Sequence, residues 1–214
     1  MVEQPSLQAP NTKLTRTVFF RSPASPGPST HQRMCFTRVL QGHIALATVV
    51  FPRGTTGYQL DLLARTPLWK SGLDYRHGTG HGVGSFLNVH EGPHGISFRK
   101  SVVDHGLYAG AVVTNEPGVY LEDLDVGIRI ESVLVVRKAD TQFQFGGTQF
   151  FCFDTITVAP LQLELIDFAL LSEIEAQWVR AYNQQVVDTL SHHIDQQDVI
   201  QWLHHHTGLV QNSK

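Results

Sequence analysis

Between His77 and Pro93 the chain reads His-Gly-Thr-Gly-His-Gly-Val-Gly-Ser-Phe-Leu-Asn-Val-His-Glu-Gly-Pro, three histidines among five glycines with a closing proline. A glycine costs a helix interior about 1 kcal/mol relative to alanine, so this segment has to be loop or short strand laid against something more regular. Gly78, Gly80, Gly82, Gly84 and Gly92 open positive φ to the backbone and let neighbouring groups approach closely. His77, His81 and His90 supply imidazoles that ligate metals or carry protons near neutral pH. One loop histidine is usually incidental. Three at this density, followed by Asn115-Glu-Pro-Gly118 and Gly127-Ile-Arg-Ile-Glu131, point to a chemical site.

The 214 residues suffice for one sizeable core with at most a small appendage. A hydrophobic fraction of 42% and a charged fraction of 16% fit a globular chain. The net charge of −3 and the lack of a Lys/Arg cluster exclude electrostatically driven nucleic-acid binding. Cys35 and Cys152 match no metal-ligand spacing and read as reduced, buried thiols. The N-terminus has no basic or apolar targeting region, and runs such as Ile44 to Phe51 are too short for a bilayer. No membrane partner and a cytoplasmic location are the expectations.

The first residues, 1 to 12, are polar and aperiodic, and Thr15 to Phe20 reads as a strand. A turn-rich linker, Ser22 to Ser29, leads to Thr30 as N-cap of an amphipathic helix through about Phe51, with Phe36, Leu40, Ile44 and Ala47 inward. A second helix is expected from Tyr58 towards Ser71, with Leu60, Leu63 and Ala64 inward and Gly72 as its stop; Pro67 predicts a kink or an end near Arg65. Ala111 to Gly118, 127–136 and Cys152 to Val158 read as strands. Alternation in the second puts Arg129 and Glu131 on one face and Ile128 and Ile130 on the other. Ser172-Glu-Ile-Glu175 has capping-box spacing and starts a helix to about His193 carrying Ile174, Trp178, Ala181, Val186 and Leu190. A last helix, Asp198 to His206, ends at Gly208 and packs by Val199, Trp202 and Leu203, so that Trp178 and Trp202 anchor the helical tail on the sheet. His204 to His206 read as surface, because consecutive helical residues do not converge on one ion.

The histidine block, Asn115-Glu-Pro-Gly118 and Gly127-Ile-Arg-Ile-Glu131, in this order, resemble the pita-bread metallopeptidases, the class of methionine aminopeptidases, prolidases and Xaa-Pro aminopeptidases, with the eukaryotic Xaa-Pro aminopeptidases as the nearest match. Leu68-Trp69, Ser71 to Tyr75 and the region of Trp178 add to the likeness, which covers about residues 11 to 206. It implies an α+β pita-bread fold, N-terminally truncated, over residues 1–160, with a C-terminal helical extension over 161–214. It implies hydrolysis of the bond before a second-position proline by a metal-bridging hydroxide between two ions, usually Mn2+, held by two Asp, one His and two Glu. Carried over, His81, Glu116 and Glu131 are metal ligands, Glu131 bridging. His90 matches a catalytic, proton-shuttling and substrate-binding histidine, His77 a second substrate-binding one, and Arg129 an arginine that orients the bridging glutamate. Peptides with proline second are the implied partners, and a homodimer is a further expectation.

The departures are specific. Where the family has Thr-Thr-Asp-Val-Thr-Arg-Thr this chain has Asn11-Thr-Lys-Leu-Thr-Arg-Thr17, so Lys13 stands at a ligand position. The other aspartate falls about ten residues earlier in the family, and residues 1 to 10 hold none; Glu3 has no matching context. One ion or none is therefore expected here. Three readings follow: an Xaa-Pro metalloaminopeptidase, a catalytically silent pita-bread protein that binds peptides or proteins or else a truncated product with no function of its own, and, more weakly, a single-metal hydrolase.

Overall fold

In a computed structural model, the structure describes residues 13–20, 26–85, 88–100, 105–124 and 126–209. The expectations for residues 1–12, for the linker at 22–25 and for Phe86 and Leu87 of the histidine block lie outside the described residues.

The longest strand, β7 (Val126–Lys138), is rich in β-branched residues and organises the sheet. Every pairing is antiparallel. The first half of β7 meets β6 (Gly118–Leu121) and β1 (Thr15–Arg16), while β5 (Val112–Asn115) and β8 (Phe150–Thr155) lie along the second half. Strand β2 (Phe51–Pro52) pairs with β8 at the edge, and β3 (Gly80–His81) with β4 (Gly95–Ile96) form a separate pair. The expected strand Ala111 to Gly118 thus divides: β5 ends at Asn115, Glu116 and Pro117 interrupt the ladder, and β6 resumes along the same partner. The expected strand Cys152 to Val158 is displaced to 150–155. Of Thr15 to Phe20 only the first two residues pair. Beyond them the Thr17 hydroxyl exchanges bonds with the backbone of Arg129, at 2.9 and 3.1 Å, so a side chain replaces the ladder and the chain peels away.

Helix α1 (Thr30–Ala47) begins one residue earlier in its capping than expected: Ser29, not Thr30, is the N-cap, in a capping box with Gln32. It stops at Ala47, short of Phe51, because Phe51 joins β2 and packs its ring 5.2 Å from that of Phe153. Phe36, Leu40, Ile44 and Ala47 are buried as expected, yet so are Cys35, Thr37, Val39, Gln41, His43 and Leu46. The helix is therefore central and serves two apolar clusters, one shared with Ile130, Leu161 and Val179 and one with Leu134, Val136 and Phe153. Helix α2 (Gly57–Trp69) crosses α1 so closely that a Cβ on Gly42 would lie 2.1 Å from the Ala64 carbonyl oxygen. Pro67 does not end α2 near Arg65. It falls in the last turn, and fully buried Leu68 beyond it keeps the helix on the core until Gly72, at φ +69, closes it.

The tail packs differently from its periodicity. Helix α3 (Glu173–Leu190) has the Ser172 capping box but ends before His193, and it buries Val179, Tyr182, Asn183, Val186 and Val187. Ile174 is 78% exposed and Ala181 is exposed, because the core takes the adjacent stripe of the helix. Trp178 packs against both clusters and stacks on Tyr182 at 5.2 Å. Trp202 on α4 (Gln197–Thr207) is no anchor: it is 50% exposed and stacks on His206, while Ile200 and Leu203 hold the helix. His204 and His206 each bond a separate backbone carbonyl and do not converge. Cys35 is buried, Cys152 is half-buried on β8, and both are free thiols. Among the described residues no helix is long and apolar enough to cross a membrane.

Candidate metal centre

The break between β5 and β6 brings Glu116 beside Glu131 of β7, and the histidine block is laid over both. Gly82 bridges Val113, Val83 N donates to Val112 O at 3.0 Å, and Glu116 N donates to Thr79 O at 2.7 Å. This contact needs glycine, since a Cβ on Gly80 would sit 1.9 Å from the Thr114 carbonyl oxygen. His81 Nδ1 lies 2.8 Å from Gly82 O. Only a donor can face a carbonyl, so the neutral ring carries its proton on Nδ1 and presents the Nε2 lone pair to the cluster. One ligand atom each from His81, Glu116 and Glu131 then lie within 4.8 Å of one another. One imidazole and two carboxylates are a donor set for a hard divalent ion.

Lys13 is brought to the same place by β1. The register sets Thr15 opposite Glu131, and the Thr15 hydroxyl donates to Glu131 Oε2 at 2.5 Å. Two residues earlier on that face, Lys13 Nζ lies 2.8 Å from His81 Nε2, 2.7 Å from His90 Nε2 and 3.7 Å from Glu131 Oε1. The ammonium donates to the same His81 lone pair that a metal would use. Arg129 adds a second positive charge, with Nη1 3.6 Å from Glu116 Oε2. Glu116 is held above the usual carboxylate range by burial and by the Glu131 charge, against the pull of Lys13 and Arg129. Burial lowers the His81 pKa, and the charge of Lys13 works in the same direction.

The structure gathers His81, His90, Glu116, Glu131, Arg129 and Lys13 into one cluster. The rings of His81 and His90 are 4.0 Å apart. His77 belongs to an adjoining aromatic wall, between Tyr75 at 4.7 Å and Tyr120 at 5.5 Å, with Nδ1 on Gly78 O and burial lowering its pKa. Its buried Nε2 has no hydrogen-bond partner among the described residues, and the Arg129 guanidinium lies 5.9 Å from the Tyr120 ring centroid. Sequence reasoning missed the supports. Thr114 Oγ1 bonds both His81 N and Glu116 Oε1, at 3.0 and 3.2 Å. Thr79 hangs from Asp61 Oδ1 at 2.6 Å, and Arg65 holds Asp61 together with the carbonyls of Tyr75 and His77. Thr15 was within reach of the two-residue alternation starting at Lys13; the other supports carry no local signal.

Fit to metal is limited. Three donors suit one ion, and Glu131 Oε1 accepts no hydrogen bond among the described residues, as an atom reserved for a cation would. Yet an ammonium already takes the His81 lone pair, and like charges a few ångströms apart at a partly buried site repel by several kcal/mol. A two-ion centre does not fit these side chains.

Comparison with known proteins places the three donors in a metallopeptidase family, a solved relative of which differs in having a di-nuclear active site. The chain is 52% identical over 192 residues to aminopeptidase P1 of Lotus japonicus and 50% identical over 192 residues to aminopeptidase P1 of Arabidopsis thaliana, covering 90% of this chain in each case and 28% and 29% of those proteins. The crystal structure of an X-prolyl aminopeptidase from Caenorhabditis elegans, described as a cytosolic enzyme with a di-nuclear active site, superposes with a TM-score of 0.81 at 38% identity, over 91% of this chain and 30% of that one. The chain thus spans under a third of the length of these relatives. That neighbour and the family together support a metal cofactor. Residues 10–138 match the model of metallopeptidase family M24 and residues 149–209 that of its C-terminal region, so the chain belongs to family M24 and has its pita-bread fold.

Proposed function

We propose that this is a site of Xaa-Pro aminopeptidase type, shaped for peptides with proline in second place, and that the chain is catalytically silent towards them. The observation that carries the silence is Lys13 Nζ at 2.8 Å from His81 Nε2 and 2.7 Å from His90 Nε2. The type of site rests on its likeness to the aminopeptidase P proteins at about 50% identity. When bound, a divalent ion would supply an activated water and neutralise developing negative charge. His81, Glu116 and Glu131 are the residues that would hold it. His90, the candidate proton carrier, has Nε2 turned to the Lys13 ammonium rather than to a substrate or a water. Thr15 and Arg129 hold the two carboxylates in place, and His77 with Tyr120 forms the wall against which a peptide would lie.

A second reading, manganese-dependent Xaa-Pro hydrolysis, is favoured by the convergence of the three donors within 4.8 Å. An Arg-Pro-Pro peptide offered with Mn2+ to the wild-type chain and to His81→Ala separates the two. Binding without cleavage is expected; manganese-dependent cleavage that disappears in His81→Ala overturns the silent reading. A cytoplasmic location belongs to the same proposal, as does a homodimer, which sedimentation velocity would detect.

A further inference from the structure

We propose that Lys13 is a tethered cation seated at the point where His81, Glu116 and Glu131 would hold a divalent ion, so that the chain closes its own metal site and removing the lysine opens it. The inference deepens the reading above and rests on its assignment of the three donors. Its grounds are geometric. The ammonium has three N–H donors, and around Nζ lie His81 Nε2 at 2.8 Å, His90 Nε2 at 2.7 Å and Glu131 Oε1 at 3.7 Å. Those neighbours are potential ligand atoms, and the His81 tautomer set by Gly82 O presents a lone pair that one cation alone can use.

Charge points the same way. Glu116 and Glu131 are 6% and 1% exposed, and Lys13 and Arg129 bring two positive charges against them. The pair of carboxylates is balanced without metal, and a divalent ion would leave an excess of positive charge in a site largely withdrawn from water. The tether is also local. Thr15 pairs with Glu131, and Arg16 donates to Glu131 O at 2.6 Å and to Tyr182 Oη at 2.6 Å, so β1 is clamped on both sides while Lys13 reaches inward. An attached ammonium competes at a fixed, high effective concentration that a free ion has to exceed.

The test uses the full chain, stripped with a chelator, desalted, and offered MnCl2 alone. Retained manganese is measured by atomic emission, and the thermal midpoint is recorded with Mn2+ and with EDTA. For the wild type the expected result is no retained metal and a midpoint indifferent to either. Lys13→Asp removes the ammonium and adds an oxygen donor, and it should bind Mn2+ at least about tenfold more tightly than wild type, with a midpoint that rises with Mn2+. Adding His81→Ala should abolish both effects. Lys13→Met removes the charge without adding a ligand and should show a smaller gain; it carries the comparison if Lys13→Asp loses its near-UV circular dichroism. Stoichiometric manganese retained by the wild type, with a midpoint rise that His81→Ala removes, overturns the proposal. So do folded Lys13→Asp and Lys13→Met proteins that take up no metal. The silent reading fails separately: cleavage of Arg-Pro-Pro by a wild type that retains no metal sinks it and leaves the tether standing, whereas metal uptake without cleavage does the reverse.

Discussion

Arg65 and Lys13 are both cations set among acceptors, and they are enclosed in opposite ways. Arg65 lies 3% exposed on α2 and spends its planar fork completely. Nε and Nη2 grip Asp61 at 2.6 and 3.2 Å, Nη1 meets Asp74 Oδ1 and Tyr75 O, Nη2 also meets His77 O, and the plane lies 4.0 Å from the Tyr75 ring centroid. Lys13 offers a compact charge to two imidazoles and to one carboxylate oxygen at 3.7 Å that accepts no hydrogen bond among the described residues. A guanidinium with each donor matched is part of the scaffold. An ammonium among atoms suited to a different cation is a substituent of the site. The two are linked, because Asp61 also holds Thr79, whose carbonyl receives the Glu116 amide.

The sharpest way to break the comparison is Asp61→Ala. It leaves Arg65 buried with its main partner gone, and the expected loss is about 3–5 kcal/mol of unfolding free energy, read by urea denaturation. A loss under about 1 kcal/mol would mean that the Arg65 cluster is no more structural than Lys13. Gly80→Ala comes next, at about 3 kcal/mol, because its Cβ would sit 1.9 Å from the Thr114 carbonyl and push the histidine block off β5. Its second readout is slow-exchanging amides turning fast at Val83 and Glu116, whose N–H groups bond across that contact.

A buried histidine sharpens the contrast by carrying no charge at all. His43 on α1 lies 1% exposed, with Nε2 3.0 Å from Ser132 Oγ, and burial, reinforced by the Arg16 charge, pushes its pKa down to about 3. The folded state therefore takes up a proton less readily than the unfolded chain, whose histidine titrates near 6.5. The contribution of His43 is fully present above that value and is lost as pH falls towards 3. Between about pH 6.5 and 5 the unfolding equilibrium should rise by about sixteenfold from this group. Urea midpoints across that range should fall less steeply in His43→Gln, and an unchanged slope would remove His43 from the account.

What the sequence disclosed follows from where the chemistry is written. His81, His90, Glu116 and Glu131 sit in short glycine-marked or strand-end motifs, which makes them legible as candidates in the sequence. Lys13 became meaningful through the resemblance of Asn11 to Thr17 to a ligand motif, and the structure then set its Nζ beside His81. Asp61 and Arg65 were not legible, since an i,i+4 pair on a helix ordinarily reads as a solvated surface bridge. Thr79 and Thr114 are generic residues until the loop meets β5. Periodicity named the existence of α3 but not which stripe of it is covered, hence the exposed Ile174, and it could not say that α1 would be enclosed by two clusters at once.

The smallest expected effect closes the comparison from the other side. Lys13→Met should change the unfolding free energy by less than about 1 kcal/mol, in contrast to Asp61→Ala. The Lys13 side chain is 21% exposed, so water already screens part of its attraction to Glu131, and Thr15 Oγ1 remains to satisfy Glu131 Oε2 after the ammonium is gone. Glu116 can also take up a proton in place of a counter-ion, since burial together with the Glu131 charge already pushes it that way. The methionine keeps an unbranched stem of similar length. A loss of several kcal/mol in Lys13→Met would make this lysine a scaffold cation like Arg65. A small loss, measured beside a large one for Asp61→Ala, separates a charge that builds the fold from a charge that occupies its site.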